Sequence, residues 1–339
     1  MAMPNSGSIS LNQANVEIGN SGTATISMND ADVRTLFDDA SGEISMSQGH
    51  GKAWYTFHGW SANHGYAAGG HSPDTNRIDR WSFASGTQNA ATVGSLTTAM
   101  RYGAATQDTT HGRHCGGWSG GGYRSDIQKY AFSSSGNASS VANCTGSNQN
   151  AFYSSSETHG YIAGGDRGSY SNQIDKHQFS NDGNAVDTGA NLTVSADWGG
   201  GCISQYYGWS LGGNNGTSHI AKYPFASATN ATGTGSLSQA RIGVGGLNSE
   251  TYGYGAGGYE SSNRIDKWSF ASGGNASTVG TLTVARGYGA DCSSTTDGHM
   301  GGGNLNIGTI DKVSFSSGGN AVGVGSMTIS RGLMHGTQG

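Results

Sequence analysis

The sequence predicts an all-β chain in which six four-stranded units close into a ring, a six-bladed β-propeller, behind a short N-terminal segment of different character. Two regularities carry that prediction. A glycine opening a Gly-Tyr-x-Ala-Gly-Gly-like element recurs at Gly65, Gly112, Gly160, Gly208, Gly253 and Gly298, spaced 47, 48, 48, 45 and 45 residues apart. In every copy an isoleucine is followed five residues later by a phenylalanine: Ile78 and Phe83, Ile127 and Phe132, Ile174 and Phe179, Ile220 and Phe225, Ile265 and Phe270, Ile310 and Phe315. Spacing that is fixed within segments and variable between them indicates strands joined by loops, because a one-residue slip turns every side chain of a strand to the other face. Four-stranded units repeating at roughly 40–50 residues are the signature of propeller blades.

The copy around Gly253 shows what one blade contains. An inner strand follows the arginine of the preceding unit; then come YGYGA, RIDKWSF and STVGTLT, separated by Gly257-Gly258, Ser272-Gly273-Gly274-Asn275 and Ala285-Arg286-Gly287. Those are turn-forming residues. The third strand carries Ile265 on one face and Trp268 and Phe270 on the other, as a sheet buried on both sides requires. The blades run over residues 61–100, 101–148, 149–195, 196–240, 241–285 and 286–330. The second and third are the least regular. Gln128 stands where other copies have Asp79, Asp175, Asp266 and Asp311, and the arginine that begins the inner strand (Arg101, Arg241, Arg286, Arg331) is missing from some copies. A basic residue two after each anchor isoleucine (Arg80, Lys129, Lys176, Lys222, Lys267, Lys312) is too regular for a ligand site and reads as a structural charge pairing along the blades.

Two segments compete to be the inner strand of the first blade: Trp54–Trp60 and Gly332–Gly339. Inner strands line a narrow channel, and WYTFHGW would crowd four large rings into it. The sequence therefore predicts that the chain's end pairs with the Tyr66–Ala68 strand, which also removes the open edge.

Residues 1–60 stand apart from the ring 61–339. They hold a short repeat of their own, Ile9-Ser10-Leu11-Asn12, Ile26-Ser27-Met28-Asn29 and Ile44-Ser45-Met46-Ser47. Asn29 precedes Asp30-Ala31-Asp32-Val33, an N-cap followed by acidic residues suited to a first helical turn. A short strand feeding a short helix is the expected unit. So small a segment buries too little apolar surface to stand alone, so it is expected to dock on another protein or on copies of itself.

Composition narrows the partners. Charged residues make up 12% of the chain and the formal net charge is −5, so no basic stripe is present to neutralise a phosphate backbone, and nucleic acid is not expected. No long apolar run or Sec-type leader is seen, so no membrane insertion is expected. Glycine is abundant, at 60 residues, but sits at regular positions among 7 Trp, 15 Tyr and 9 Phe, which argues against a disordered low-complexity chain. Cys115, Cys144, Cys202 and Cys292 occupy core positions of the repeat and are expected to be free thiols.

The strand, Gly-Gly, variable loop, aromatic strand and turn leading to arginine resemble the Kelch-type repeat over residues 61 to the C-terminus, although the tryptophan that normally starts the fourth Kelch strand is missing. The resemblance implies a six-bladed Kelch-like architecture, and fold alone does not carry function. The opening SGSISLNQANVEIGNSGTATISMNDADVRTLFDDASGEISMSQGHGK resembles the N-terminal segment of many tailed-bacteriophage virion proteins of the tail or fibre. That resemblance implies an attachment module that joins other virion proteins through residues 1–60, in multiple copies or as a homo-oligomer, and carries a distal domain on the phage tail or particle surface.

No catalytic constellation emerges. His111 and His114 lie three apart on a strand and so point to opposite faces, which rules out their closing on one metal ion. Kelch-type rings include a copper oxidase, but its tyrosines, histidines and cross-linkable cysteine have no counterpart pattern here. No nucleophile elbow is present, and neither a cofactor nor a metal is expected. The loops between second and third strands, HSPDTNR, WSGGGYRSD, DRGSYSNQ, NNGTSH, YESSNR and NLNIGT, vary where everything around them repeats. Variation on a rigid scaffold is where recognition sits. Trp118, Tyr123, Tyr170 and Tyr259, beside Arg124, Asp166, Arg167 and Glu260, offer aromatic platforms with polar neighbours for a host-surface glycan or protein. The alternatives are a purely structural virion component, such as a nozzle, neck or capsid-surface protein, and a glycan-acting enzyme.

Overall fold

The computed structural model describes Val33 and residues 62–84, 86–214, 217–259, 262–304 and 307–339. The strand-and-helix reading of residues 1–60, the Trp54–Trp60 cluster and Glu260 lie outside the described residues. Among those described, the strands form six antiparallel sheets of four. The first blade contains β1 (His64–Ala68), β2 (Arg77–Ser82) and β3 (Ala91–Ser95); the second β4 (Ala104–Gln107), β5 (His111–Ser119), β6 (Gly122–Ala131) and β7 (Ser139–Asn143); the third β8 (Phe152–Ser155), β9 (His159–Ala163), β10 (Gln173–Gln178) and β11 (Val186–Asn191). The fourth contains β12 (Gly200–Ile203), β13 (Tyr207–Leu211), β14 (His219–Pro224) and β15 (Thr232–Ser236); the fifth β16 (Gly245–Asn248), β17 (Tyr252–Ala256), β18 (Arg264–Ser269) and β19 (Gly273–Thr281); the sixth β20 (Ala290–Ser293), β21 (Asp297–Gly301), β22 (Thr309–Ser314) and β23 (Val322–Ser326). The last strand, β24 (Gly336–Gln338), pairs with β1, placing Gly65 opposite Gln338, Tyr66 opposite Thr337 and Ala67 opposite Gly336. The end of the chain thus closes the ring as its size predicted, and the protein is a six-bladed β-propeller.

The repeat residues hold the blades to one another. Each anchor isoleucine is buried in the core, and Ile265 and Trp268 enter different clusters on opposite faces of their blade. The anchor phenylalanines all do one job: each receives the middle side chain of the preceding blade's second strand. Tyr66 packs on Phe132 with centroids 4.7 Å apart, Tyr161 on Phe225 at 4.8 Å, Trp209 on Phe270 at 5.0 Å, Tyr254 on Phe315 at 4.8 Å and His299 on Phe83 at 4.4 Å. In the second blade an arginine takes the place of the ring, and the Arg113 guanidinium lies 4.4 Å from the Phe179 centroid. Ring pairs of this kind add about 0.5–1.5 kcal/mol each beyond their area.

A second six-fold contact lies at the rim. The backbone N–H of Ser95, Asn143, Asn191, Ser236, Thr281 and Ser326 donates to the side-chain oxygen of Asn137, Asn184, Asn230, Asn275, Asn320 and Asn89 in the next blade, at 2.9–3.1 Å. Every one of these asparagines precedes an alanine, a Gly-Asn-Ala-like signature the sequence carries six times.

Buried charge forms the third contact. Arg241 pairs with Asp266 at 2.7 Å, Arg286 with Asp311 at 3.0 Å and Arg331 with Asp79 at 2.7 Å, all with side chains essentially inaccessible. The alignment that places Arg101 with these three is corrected by the backbone. The carbonyls that receive the N–H of the second glycine of each Gly-Gly pair, or its counterpart, are those of Met100, Asn148, Ala196, Arg241, Arg286 and Arg331. Met100 is therefore the equivalent, and its sulfur receives the Gln128 amide at 2.9 Å; the Met–Gln couple replaces Arg–Asp in the second blade. In the fourth the pair is Ala196 with Ala221, both fully buried. In the third, Asp175 is met by Arg167 from the neighbouring loop at 2.6 Å. The charges two after each isoleucine lie opposite the middle residue of the second strand: Lys222 sits 4.3 Å from the Tyr207 ring and Lys267 3.8 Å from the Tyr252 ring, whereas Lys129 reaches Asp182. Of these three, Lys129 pairs with a charge as expected, whereas Lys222 and Lys267 meet rings. All four cysteines are free and buried.

Candidate functional site

The second-to-third-strand loops and the segments leading into the inner strands meet at one end of the ring, joined by bridges His71–Gly332, Arg101–Trp118 and Gln149–Asp166. Just before each inner strand one residue adopts a left-handed backbone: Tyr102 (φ 63), Asn150 (φ 55), Trp198 (φ 61), Gly243 (φ 66), Tyr288 (φ 58) and Leu333 (φ 60). The cause is a circle of hydrogen bonds around the mouth. Tyr102 N–H donates to Leu333 carbonyl (3.0 Å), Asn150 to Tyr102 (2.7 Å), Trp198 to Asn150 (3.0 Å), Gly243 to Trp198 (2.6 Å) and Tyr288 to Gly243 (2.9 Å); Met334 N–H completes the circle on the Tyr288 carbonyl at 3.4 Å.

Tyr102, Trp198, Tyr288 and Leu333 of this circle line a mouth cavity of about 410 Å³. Tyr102, Trp198 and Tyr288 form one contiguous aromatic wall, with Trp198 5.4 Å from Tyr102 and 5.0 Å from Tyr288, and Tyr259 extends it at 5.6 Å from Tyr288. Ile242 and Leu333 add apolar surface, while His71, Asn214 and Asn304 bring polar groups. Gly243 is the one circle position without a side chain, and the reason is spatial: a Cβ there would lie 2.6 Å from the Tyr288 ring. The Arg101 guanidinium stands 5.3 Å from the Tyr102 ring centre and is held by Asp74 at 3.1 Å. Beneath Trp198, Asp197 is buried; desolvation, and then the charge of Asp166, raise its carboxyl to about 6. Its backbone carbonyl accepts the Asn214 N–H at 2.8 Å, and the Asn214 side chain donates to Tyr170 at 2.6 Å.

The residues read from the loops distribute unevenly around this mouth. Tyr259 lines it, and Tyr170 reaches it through Asn214. Trp118 and Tyr123 are cross-strand partners near the tip of the β5–β6 hairpin, with rings 5.2 Å apart, and the Tyr123 hydroxyl donates to Asp166 at 2.8 Å. Arg124 pairs with Asp126 at 3.0 Å and Arg167 with Asp175, so both guanidinium groups are engaged within the fold. The aromatic wall itself, Tyr102, Trp198 and Tyr288, was not read from the sequence. Its signal is positional: each residue lies two after the Met100, Ala196 or Arg286 position, which the Arg101 misalignment hides by one residue.

Below the mouth the channel is closed. At one level of the inner strands stand Ala105, Tyr153, Gly201, Gly246, Asp291 and Gly336, and the small residues leave room for Tyr153 to reach across to Asp291, both carboxylate oxygens lying 2.5 Å from its hydroxyl. A space of about 40 Å³ remains along the channel. Further along, Asn248 N–H donates to Ser293, Ser293 to Gln338, Gln338 to Gln107 and Gln107 to Ser155, linking five of the six inner strands. Among the described residues no group of three or more His, Cys, Asp or Glu side chains could hold a metal ion. His111 contacts Thr110 at the surface, whereas His114 is fully buried and, through desolvation first, is depressed to about 4. No protein-family model matches the chain, and no curated protein matches it.

Proposed function

We propose that this chain is a non-enzymatic structural protein of a tailed-phage particle, in which residues 1–60 attach to other virion proteins in multiple copies and the Kelch-like propeller is displayed at the tail, fibre or baseplate to contact the host surface. The N-terminal resemblance supplies the setting. The observation that carries the recognition role is the mouth circle: bulky residues occupy a left-handed backbone that glycine adopts freely. A bulky side chain there costs about 1–2 kcal/mol per residue, and such outliers gather at functional sites. A channel blocked by Tyr153 and Asp291 fits a recognition surface better than a conduit.

Particles tell whether this is right. A chain beginning near residue 61 is expected to fold but to be missing from assembled particles, and particles carrying only residues 1–60 are expected to assemble and lose adsorption to the host. Incorporation of the truncated chain at the full-length level would remove the attachment role; undiminished adsorption without the propeller would remove the recognition role.

A further inference from the structure

We infer that the mouth cavity is a saccharide site, in which the half-buried Trp198 ring stacks on the apolar face of a pyranose, Tyr102 flanks it, and Asn214, Asn304 and His71 bond its hydroxyls. The inference deepens the recognition reading above and rests on it for biological context, though not for its test. Its cavity, about 410 Å³, falls in the size range of small-molecule sites, with the expected pattern of aromatic lining and few polar groups.

The ligand class follows from the spacing of the rings. Trp198 stands 5.0 Å from Tyr288 and 5.4 Å from Tyr102, so adjacent rings touch and leave no gap in which a cation could be caged. Arg101 already lies over Tyr102, which further disfavours a cationic guest. An anion finds no unpaired positive group lining the cavity, since Arg101 is held by Asp74 and His71 lies 2.5 Å from the same carboxylate. What remains is a neutral ligand with one apolar face and a hydroxylated edge, which describes a pyranose ring.

Strain supports the same assignment from another direction. All six circle positions need a left-handed backbone, and Gly243 shows that glycine satisfies it, yet Tyr102, Trp198 and Tyr288 keep large side chains there. Of these, Trp198 and Tyr102 are only half-buried and present their rings to the mouth, whereas Tyr288 is buried and backs Trp198 edge to face.

The backbone requirement supplies a clean experiment. Trp198→Gly relieves a strained position, so thermal unfolding of the full chain is expected to stay close to wild type. The full-length protein and the variant are screened on an array of neutral and N-acetylated hexose oligosaccharides, with choline and inorganic phosphate titrated in parallel, and the strongest array ligand is titrated by calorimetry. The expected result is saccharide binding that weakens at least about tenfold in Trp198→Gly, the size of a lost stacking contact. Asn304→Ala, which leaves the aromatic rings in place but removes the acceptor of the Gly287 N–H at 2.7 Å, is expected to weaken the same ligand. No saccharide binding, choline or phosphate binding in its place, or saccharide binding unchanged in both variants would each overturn the site. Loss of adsorption by propeller-less particles together with a silent array would leave the recognition reading standing and refute only the saccharide.

Discussion

Tyr153 of the third blade and Asp291 of the sixth, 138 residues apart in sequence, meet across the centre of the ring, the phenol donating to the carboxylate at 2.5 Å. Asp291 also accepts the Gly246 N–H at 2.7 Å, so one crossbar ties three blades. Removing the phenol hydroxyl in Tyr153→Phe keeps the ring but takes a hydrogen bond from a buried carboxylate, at an expected cost of about 1.5–3 kcal/mol. Urea unfolding followed by tryptophan fluorescence measures it; a midpoint equal to wild type would mean that the crossbar is incidental to stability.

Arg331 and Asp79 join the end of the chain to its first blade, and the guanidinium also donates to the Gly69 and Ala67 carbonyls. Asp79→Asn leaves a buried arginine without its counter-charge and is expected to cost about 3–5 kcal/mol at neutral pH. The double variant Arg331→Met with Asp79→Gln copies the Met100–Gln128 couple of the second blade and is expected to recover most of that loss. Burial alone would raise the Asp79 carboxyl, but Arg331, Thr328 and Thr92 together hold it below its ordinary 3.8. Its contribution is therefore complete above pH 3.8 and disappears as pH falls through the depressed value, so wild type and Asp79→Asn should converge in acid. Equal stabilities at pH 7 would contradict this account.

The architecture was legible because its determinants repeat. Ile265 and Phe270 recur with fixed spacing, and the structure shows why: the isoleucine fills one face of the blade while the phenylalanine takes a ring from the blade before. The closing strand was legible from size, since Gly336 must approach within a backbone's width of Asp291. The mouth was not legible, because what its six positions share is a backbone conformation and a circle of N–H···O bonds, met by residues as unlike as Tyr102, Asn150, Gly243 and Leu333. Arg101 concealed it further by mimicking Arg241 one residue out of register. Asn89-Ala90 and its five counterparts were readable, but a repeated asparagine in a turn passes for local turn chemistry until its bond is seen to reach the next blade.

That bond gives a prediction repeated six times. Asn275 accepts the Ser236 N–H at 3.1 Å across the boundary of the fourth and fifth blades. Asn275→Ala is expected to lower stability by about 0.5–1.5 kcal/mol, and the same substitution at Asn230 or Asn137 by a similar amount, because each removes one bond between neighbouring blades. Denaturant unfolding of the three variants tests this. A spread far wider than that range would show that the rim contacts are unequal despite their common geometry.

The last prediction concerns acid. His299 is buried against Phe83, where Tyr66, Tyr161 and Tyr254 occupy the equivalent position in other blades. Desolvation, the largest influence, depresses His299 from 6.5 to about 4, and neither ring nitrogen has a partner. A base depressed on folding binds its proton more readily when unfolded, so its neutral form is compatible with full stability above pH 6.5, and stability is lost as pH falls from 6.5 towards 4. At pH 5.5 the loss from this one group comes to about 1 kcal/mol. His177, depressed to about 3, and His219, to about 4, act in the same direction, each chiefly through desolvation. His299→Tyr replaces the titrating ring with the residue of the equivalent blades, whose Tyr66 hydroxyl donates to the Phe132 carbonyl at 3.1 Å, a bond the new tyrosine could copy on Phe83. The variant's advantage over wild type is expected to be smallest and constant above about pH 7.5 and to grow from about pH 6.5 down to 4.5. Parallel melting curves for the two proteins across that range would show that His299 is not part of the acid response.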